Sequence, residues 1–277
     1  MNMKKISILL LAFLSTTVIL AQKKDKISGS KIVTSKQRNI KNFSTIEIED
    51  NIEASLERGE FPEIKIEADD NLIDVIDIDV TDNTLHIATS KRIMKRKSLK
   101  VKITYTAELN TIISKNEASI SAIQEILGDN LNVKTWDNSK VLMNANVTNF
   151  LLQADGNSKI ELNLKSENTK IELSKDTDLK SLITTTNLAL DMYQKSKAKI
   201  EGEANSSLIR LENNSELEAS KLEIKSIELI AEGQSKNSVN AKKDIVISAS
   251  EKSETELYGE AKIEMNQFID RAKLSKK

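Results

Sequence analysis

The sequence predicts an all-β solenoid with roughly 19–21 residues per coil behind a β-rich N-terminal cap, and three observations predict it. The turn-like pairs Asn138-Ser139, Asn157-Ser158, Asp176-Thr177, Lys195-Ser196 and Asn214-Ser215 follow one another in steps of 19 residues. Apolar residues keep fixed offsets from these pairs. Val141, Ile160, Leu179, Ala198 and Leu217 lie three positions after each start, and Leu152/Ala154, Ile171/Leu173, Leu190/Met192 and Ile209/Leu211 lie 14 and 16 after. The neighbours of the first set, Leu142, Glu161, Lys180, Lys199 and Glu218, are mostly charged, so buried and exposed positions alternate as on a strand. Equal steps have no reason to recur in a β-sandwich or jelly roll, the other fold built from short alternating strands.

Composition agrees. Of 277 residues, 39% are apolar and 30% charged, but only 3% are aromatic, which suits a narrow aliphatic interior better than a thick core filled by rings. Residues 1–21 read as an export signal. Lys4 and Lys5 form the basic start, Ile6 to Leu14 the apolar run, and Ala21 the small residue before the cut. That run is too short and too broken by Ser15, Thr16 and Thr17 for a permanent membrane span. There is no Cys, so an exported chain of this sequence depends on packing and strand ladders rather than disulfides, and no thiol-linked lipid anchor is expected. Removing the signal takes Lys4 and Lys5 from 41 basic residues and none from 42 acidic ones, leaving a net charge of −3. Such a balance excludes a general nucleic-acid binder.

In chain order, residues 22–30 are polar and Lys-rich and read as a flexible lead-in. Residues 31–110 read as an antiparallel-rich cap that covers the end of the stack. Its strands are 31–37, 45–49, 52–57 and 63–67, with Gly59 and Pro62 marking a turn. Asn71 to Ile76 fits one helical turn capped by Asn71 or Asp70. Ile76/Ile78/Val80 pairs with Leu85/Ile87 across Thr81-Asp82-Asn83-Thr84 as a hairpin, and Val101/Ile103/Tyr105 is a further strand. Residues 111–277 form the coils, starting with the turn Asn116–Ser119. After Asn214 the spacing changes by one or two residues, as coil corners allow. Stacked Asn138, Asn157 and Asn214 are expected to form a partial side-chain ladder, and Phe268 and Ile269 to plug the last coil.

The opening Lys31-Ile-Val-Thr-Ser-Lys-Gln-Arg-Asn-Ile-Lys-Asn-Phe-Ser-Thr-Ile-Glu-Ile is followed by Ile52-Glu-Ala-Ser-Leu-Glu-Arg-Gly-Glu and Ile64-Lys-Ile-Glu-Ala-Asp-Asp-Asn-Leu-Ile-Asp. Asp82-Asn-Thr-Leu-His-Ile, the repeated Asn/Gly-Ser turns and Leu257-Tyr-Gly-Glu-Ala-Lys-Ile complete the order. Over roughly 31–275 this order resembles the bacterial family called putative auto-transporter adhesin, head GIN domain, a domain of unknown function. The resemblance implies a right-handed parallel β-helix with a β-rich N-terminal portion, in exported proteins of Bacteroidetes-type bacteria. It supplies no catalytic residues. The chain departs from the family in having few Gly at its repeat turns, only Gly156 and Gly233, with Asn, Asp and Lys elsewhere; Asn and Asp tolerate left-handed backbone.

Candidate chemistry is sparse. His86, the one His, lies between Leu85 and Ile87 on the polar side of a strand, without a nucleophile-elbow motif. One His and no Cys exclude the usual zinc ligand sets within a monomer. Asp69, Asp70, Asp74, Asp77 and Asp79 cluster in sequence but lack calcium-loop spacing, and read as solvated surface. Lys91, Arg92, Lys95, Arg96 and Lys97, with Ile93 and Met94 between them, form a concentrated basic loop that could meet phosphorylated headgroups or acidic polysaccharide; the plainer reading is a solvated hairpin tip. β-Helix enzymes gather acid and base groups on one face, and Glu161, Glu172, Asp191 and Arg210 are outward residues that could align. No paired acid/base constellation is visible. Trp136, Tyr193 and Tyr258 are the only polar-tipped aromatics in the repeats, and Trp136 reads as corner packing. The expectation is a non-catalytic envelope protein, an adhesin or interaction scaffold in the periplasm or on the outer surface of a Gram-negative bacterium. Its partner would be an envelope protein or polysaccharide, and no cofactor is expected. A carbohydrate-active or polysaccharide-binding protein on the same scaffold, and a periplasmic protein-docking module, are the alternatives.

Overall fold

The computed structural model describes residues 24–277, so the expected export signal and the first two lead-in residues lie outside the described residues. Strands account for 69% of the structure, no α-helix is present among the described residues, and the strands wind into a β-solenoid of about nine turns. The first half contains β1 (Lys26–Ile27), β2 (Val33–Asn39), β3 (Thr45–Ile48), β4 (Glu53–Arg58), β5 (Glu63–Asp69), β6 (Ile76–Thr81), β7 (Thr84–Thr89), β8 (Arg92–Ile93), β9 (Leu99–Tyr105) and β10 (Thr111–Ser114). The long bent strands β11 (Ser119–Thr135), β12 (Lys140–Ala154), β13 (Lys159–Leu173), β14 (Asp178–Met192), β15 (Lys197–Leu211), β16 (Glu216–Ala231) and β17 (Lys236–Ala249) follow. The chain ends in β18 (Glu254–Tyr258), β19 (Lys262–Phe268) and β20 (Lys273–Lys276).

The repeat seen in the sequence is the ladder. Val141 pairs with Ile160, Ile160 with Leu179, Leu179 with Ala198 and Ala198 with Leu217, all in parallel register. These residues and the pairs at the later offsets are buried, and each large side chain contributes about 1.5–3 kcal/mol of apolar burial. Insertions are absorbed within the long strands rather than at the corner turns, and the first of them lies before Asn214. The register shifts fall between Ala122 and Ile126, Lys199 and Gly202, and Ala219 and Glu223.

The corner turns resolve the shortage of Gly. Each begins with a residue whose carbonyl accepts an N–H three positions on, as from Ser139 to Trp136 at 3.3 Å and from Ser196 to Tyr193 at 3.2 Å. The residue between, just before each predicted pair, is left-handed: Asp137, Gly156, Lys175, Gln194, Asn213, Gly233 and Glu251 have φ between 54° and 74°. Lys, Gln and Glu here bear a penalty of roughly 1–2 kcal/mol, offset by the ladder on either side. The second member of each pair, Ser139, Ser158, Thr177, Ser196 and Ser215, is fully buried, and Ser235 continues the column. The corner interior has room only for a small side chain. Ser158 Oγ and Thr177 Oγ1 each donate to the carbonyl three residues earlier, at 2.7 Å.

The N-terminal portion is less separate than its sequence suggests. β2–β5, β5–β9 and β6–β7 are antiparallel, the last closing on the left-handed pair Asp82-Asn83. But β3 runs parallel between β7 and β10, and β4 parallel between β9 and β11. The coil of residues 45–58 is therefore sandwiched between two later pieces of chain, and one ladder continues past residue 110.

Three local expectations need correction. Residues 24–30 are held rather than free: β1 pairs with β8, and Gly29 N–H donates to the Lys95 carbonyl at 2.6 Å. The helical turn is a 3-10 turn, Asp70–Val75, entered through Asp69 with no side-chain cap, because the Asp69 carboxylate is used elsewhere. Phe268 and Ile269 do not plug the stack. Phe268 is a ladder residue against Ala249, and the two remain 42% and 48% exposed because the last coil has no neighbour beyond it among the described residues.

Candidate functional site

Outward residues of successive coils stack into columns. One holds Lys115, Trp136, Asp155, Ser174, Tyr193 and Glu212. Their backbones are laddered by N–H donation from Trp136 to Ser114 O, Asp155 to Thr135 O, Ser174 to Ala154 O and Tyr193 to Leu173 O, at 2.9–3.0 Å. Beside it run Gln153, Glu172, Asp191 and Arg210. Because Asp155 and Ser174 are small, the column dips between its two rings, leaving a recess of about 250 Å³ with Trp136 and Tyr193 at its ends and Gln153 and Glu172 on its flank. The ladder fixes this geometry, since neighbouring coils lie ~4.8 Å apart.

The recess holds two carboxylates. Glu172 accepts from Gln153 Nε2 at 2.8 Å and pairs with Lys170 at 2.5 Å, and these partners hold its carboxyl below the usual range. Asp155 is partly desolvated, which alone would raise it, but Lys175 at 2.5 Å and Ser174 Oγ at 2.9 Å win and lower it. Burial, then the carboxylates around it, push the Tyr193 phenol up, so it stays neutral. The Lys115 ammonium lies over the Trp136 ring, 5.7 Å from its centroid, and bonds Glu47 at 2.6 Å. The recess thus offers acceptors and ring faces but no poised proton donor.

Of the four outward residues considered for catalysis, Glu172, Asp191 and Arg210 share a column, with Arg210 Nη1 3.2 Å from Asp191 Oδ1, whereas Glu161 belongs to a different ladder, against Lys180. His86 lies 4.0 Å from Glu47, half exposed, on the polar side of β7. The five Asp residues diverge. Asp69 is fully buried and accepts N–H from Lys31, Lys97 and Ser98 at 2.8–3.0 Å. Asp70 serves Ser30 and Asn71, and Asp79 accepts from Thr81 at 2.8 Å. Among the described residues no three His, Asp or Glu side chains come together as a metal site.

Asp69 also shapes the basic loop, because it anchors the backbone at Lys97. Arg96 is tied to Asn51, donating at 2.9 Å to both its carbonyl and its side-chain oxygen. Lys91, Arg92, Lys95 and Lys97 remain exposed beside Met94.

Two features escaped the sequence reading although their spacing was present. Asn149 donates to Asn130 at 3.0 Å, Asn168 to Asn149 at 2.9 Å and Asn187 to Asn168 at 2.9 Å, a ladder along a shallow groove of about 550 Å³. The ladder expected at Asn138, Asn157 and Asn214 reduces to Asn157 donating to Asn138 at 3.0 Å, because Lys195 and Asp176 interrupt it. The Trp136–Tyr193 column follows the same 19-residue step.

The fold has solved counterparts. The chain is similar to a putative adhesin from Parabacteroides merdae, with 17% identity and a TM-score of 0.68 over 91% of this chain and 99% of that one. A putative lipid binding protein from Parabacteroides distasonis gives 14% identity and 0.67 over 91% and 100%. A putative adhesin from the same species gives 17% and 0.68 over 91% and 100%. At these identities the likeness concerns the fold. No curated protein matches the chain. The profile of one family matches residues 42–180 and 160–261, most of the chain, and the protein accordingly belongs to the family described as putative auto-transporter adhesin, head GIN domain.

Proposed function

We propose that the protein is a non-catalytic, exported envelope component that works as an adhesin or interaction scaffold. The observation that carries this is the state of the recess between Trp136 and Tyr193. Glycoside-cleaving sites need one carboxyl held protonated beside an ionised one, yet Asp155 and Glu172 are both lowered and both engaged with cations. The family and two adhesin-named structural neighbours support the reading, as does the rigid face that seven long stacked strands present. Fractionation with protease shaving of intact cells tests the compartment, and a turnover screen on polysaccharides tests the chemistry. Absence from the envelope, or measurable turnover, overturns it. The exposed Lys91, Arg92, Lys95 and Lys97, with Met94 48% exposed between them, favour a second contact of this scaffold, with a polyanion such as an acidic glycan or a phosphorylated headgroup. Replacing these four and Arg96 by Ser or Gln should abolish retention on an acidic-glycan or lipopolysaccharide column; unchanged retention removes this contact.

A further inference from the structure

We propose that the recess between Trp136 and Tyr193 binds a short stretch of a neutral, hydroxyl-rich glycan, one unit against each ring; this deepens, and rests on, the reading of the chain as an envelope interaction protein. Sugars present an apolar C–H face and a rim of hydroxyl donors, and the recess is built of the complements. Trp136 and Tyr193 bracket it three coils apart, ~14 Å along the stack, the only Trp and one of three Tyr in the chain. Lys115, from the preceding coil, covers one face of Trp136 and leaves the ring to border the recess on the Asp155 side. Between the rings stand the acceptors: the carboxylates of Asp155 and Glu172, the side-chain carbonyl of Gln153 and the hydroxyl of Ser174. Ionised carboxylates accept from hydroxyls strongly, since bonds to charged groups are the stronger class.

Charge decides against the nearest alternatives. Lys175, Lys170 and Arg210 already balance Asp155, Glu172 and Asp191. The lining itself carries no Lys or Arg, so a uronic acid's carboxylate would find no cation of its own there. A quaternary ammonium would find both carboxylates paired and Trp136 already beneath a cation. At about 250 Å³ the recess lies below the ~300–1,000 Å³ usual for drug-sized ligands, so it suits a short stretch of glycan whose chain continues over the surface.

The test titrates the purified protein with neutral tetrasaccharides of glucose, mannose and N-acetylglucosamine, with oligouronates and choline as comparators. Trp136, as the only Trp, reports through its fluorescence, and calorimetry serves the variants. At least one neutral sugar should give a saturable shift. Tyr193→Ala and Trp136→Ala should each weaken it about three- to tenfold, the size of one aromatic contact. Ser174→Phe, at a half-exposed position whose ladder bond is backbone, should fill the recess and abolish binding while the circular dichroism stays that of wild type. The proposal is overturned if no neutral sugar saturates, if choline or a uronate binds more tightly to protein in which Lys91, Arg92, Lys95, Arg96 and Lys97 are replaced, or if Tyr193→Ala and folded Ser174→Phe bind like wild type. Shaving of the same cells reads the envelope assignment separately, so either reading can fail while the other stands.

Discussion

Gly202→Ala should be among the most damaging single-methyl additions in the chain. Gly202 lies in β15 at φ +119°, and a Cβ there would stand 2.1 Å from the carbonyl oxygen of Ile183 and 2.9 Å from its carbon. Those atoms belong to the neighbouring coil, where Ile183 pairs with Gly202 and Gly202 with Leu222, so neither strand can retreat without opening the ladder. Holding an L-residue at this φ costs about 1–3 kcal/mol. Moving the strands apart weakens one or two ladder bonds worth roughly 0.5–1.5 kcal/mol each. The sum is about 1.5–6 kcal/mol, reaching the upper end for point substitutions. Gly128→Ala is the control. It adds the same methyl in β11, where nothing lies within 4 Å, and should stabilise by about 0.4–1 kcal/mol through the unfolded chain. Urea unfolding followed by circular dichroism gives both values. A Gly202→Ala protein within about 1 kcal/mol of wild type, or a Gly128→Ala protein equally damaged, refutes the reasoning.

Other outcomes follow from the columns. Asn168→Ala removes a donor to Asn149 and an acceptor from Asn187, and should cost about 1–2 kcal/mol, while Asn130→Ala, at the end of the ladder, should cost about half; equal losses in the same urea titration would show that the number of ladder bonds does not set the cost. In the buried serine column, Ser158→Ala loses the 2.7 Å bond to Asp155 O and should destabilise by about 1 kcal/mol, whereas Ser215→Ala deletes a buried hydroxyl that has no partner among the described residues and should be neutral or stabilising by a few tenths, read as melting temperatures. Burial alone would raise Asp69, but donation from Ser98, Lys31 and Lys97 outweighs it and lowers the folded-state value below 3.8. Its stabilising contribution is thus complete above about pH 4 and is lost as pH falls through the lowered value. Asp69→Asn should therefore lower stability at neutral pH and flatten its acid dependence; an acid-unfolding curve as steep as wild type contradicts this.

The predicted hairpin at Asp82-Asn83 and the strands of the repeats were legible because each depends on neighbours in sequence: alternation for strands, tolerance of left-handed backbone for the turn. The recess was only half legible. Trp136, Tyr193 and Glu172 drew notice singly, but their meeting requires stacking of residues 57 apart in register, together with small Asp155 and Ser174 between them. The exposed cations of the basic loop were readable as charge. The loop's shape was not, because Asp69 fixes it from 28 residues away.

By itself the sequence determined the β-solenoid, the coil length and the inward residues at each offset, because these repeat locally and every coil meets its neighbours in the same way. Only the tertiary structure decided the order of stacking at the N-terminal end, where residues 45–58 lie between two later segments. It also decided the pinning of residues 24–30 and the exposure of Phe268 and Ile269. These are choices among strand edges of nearly equal local pattern, and the choice is made by which distant chain covers which edge, a property that alternation does not encode.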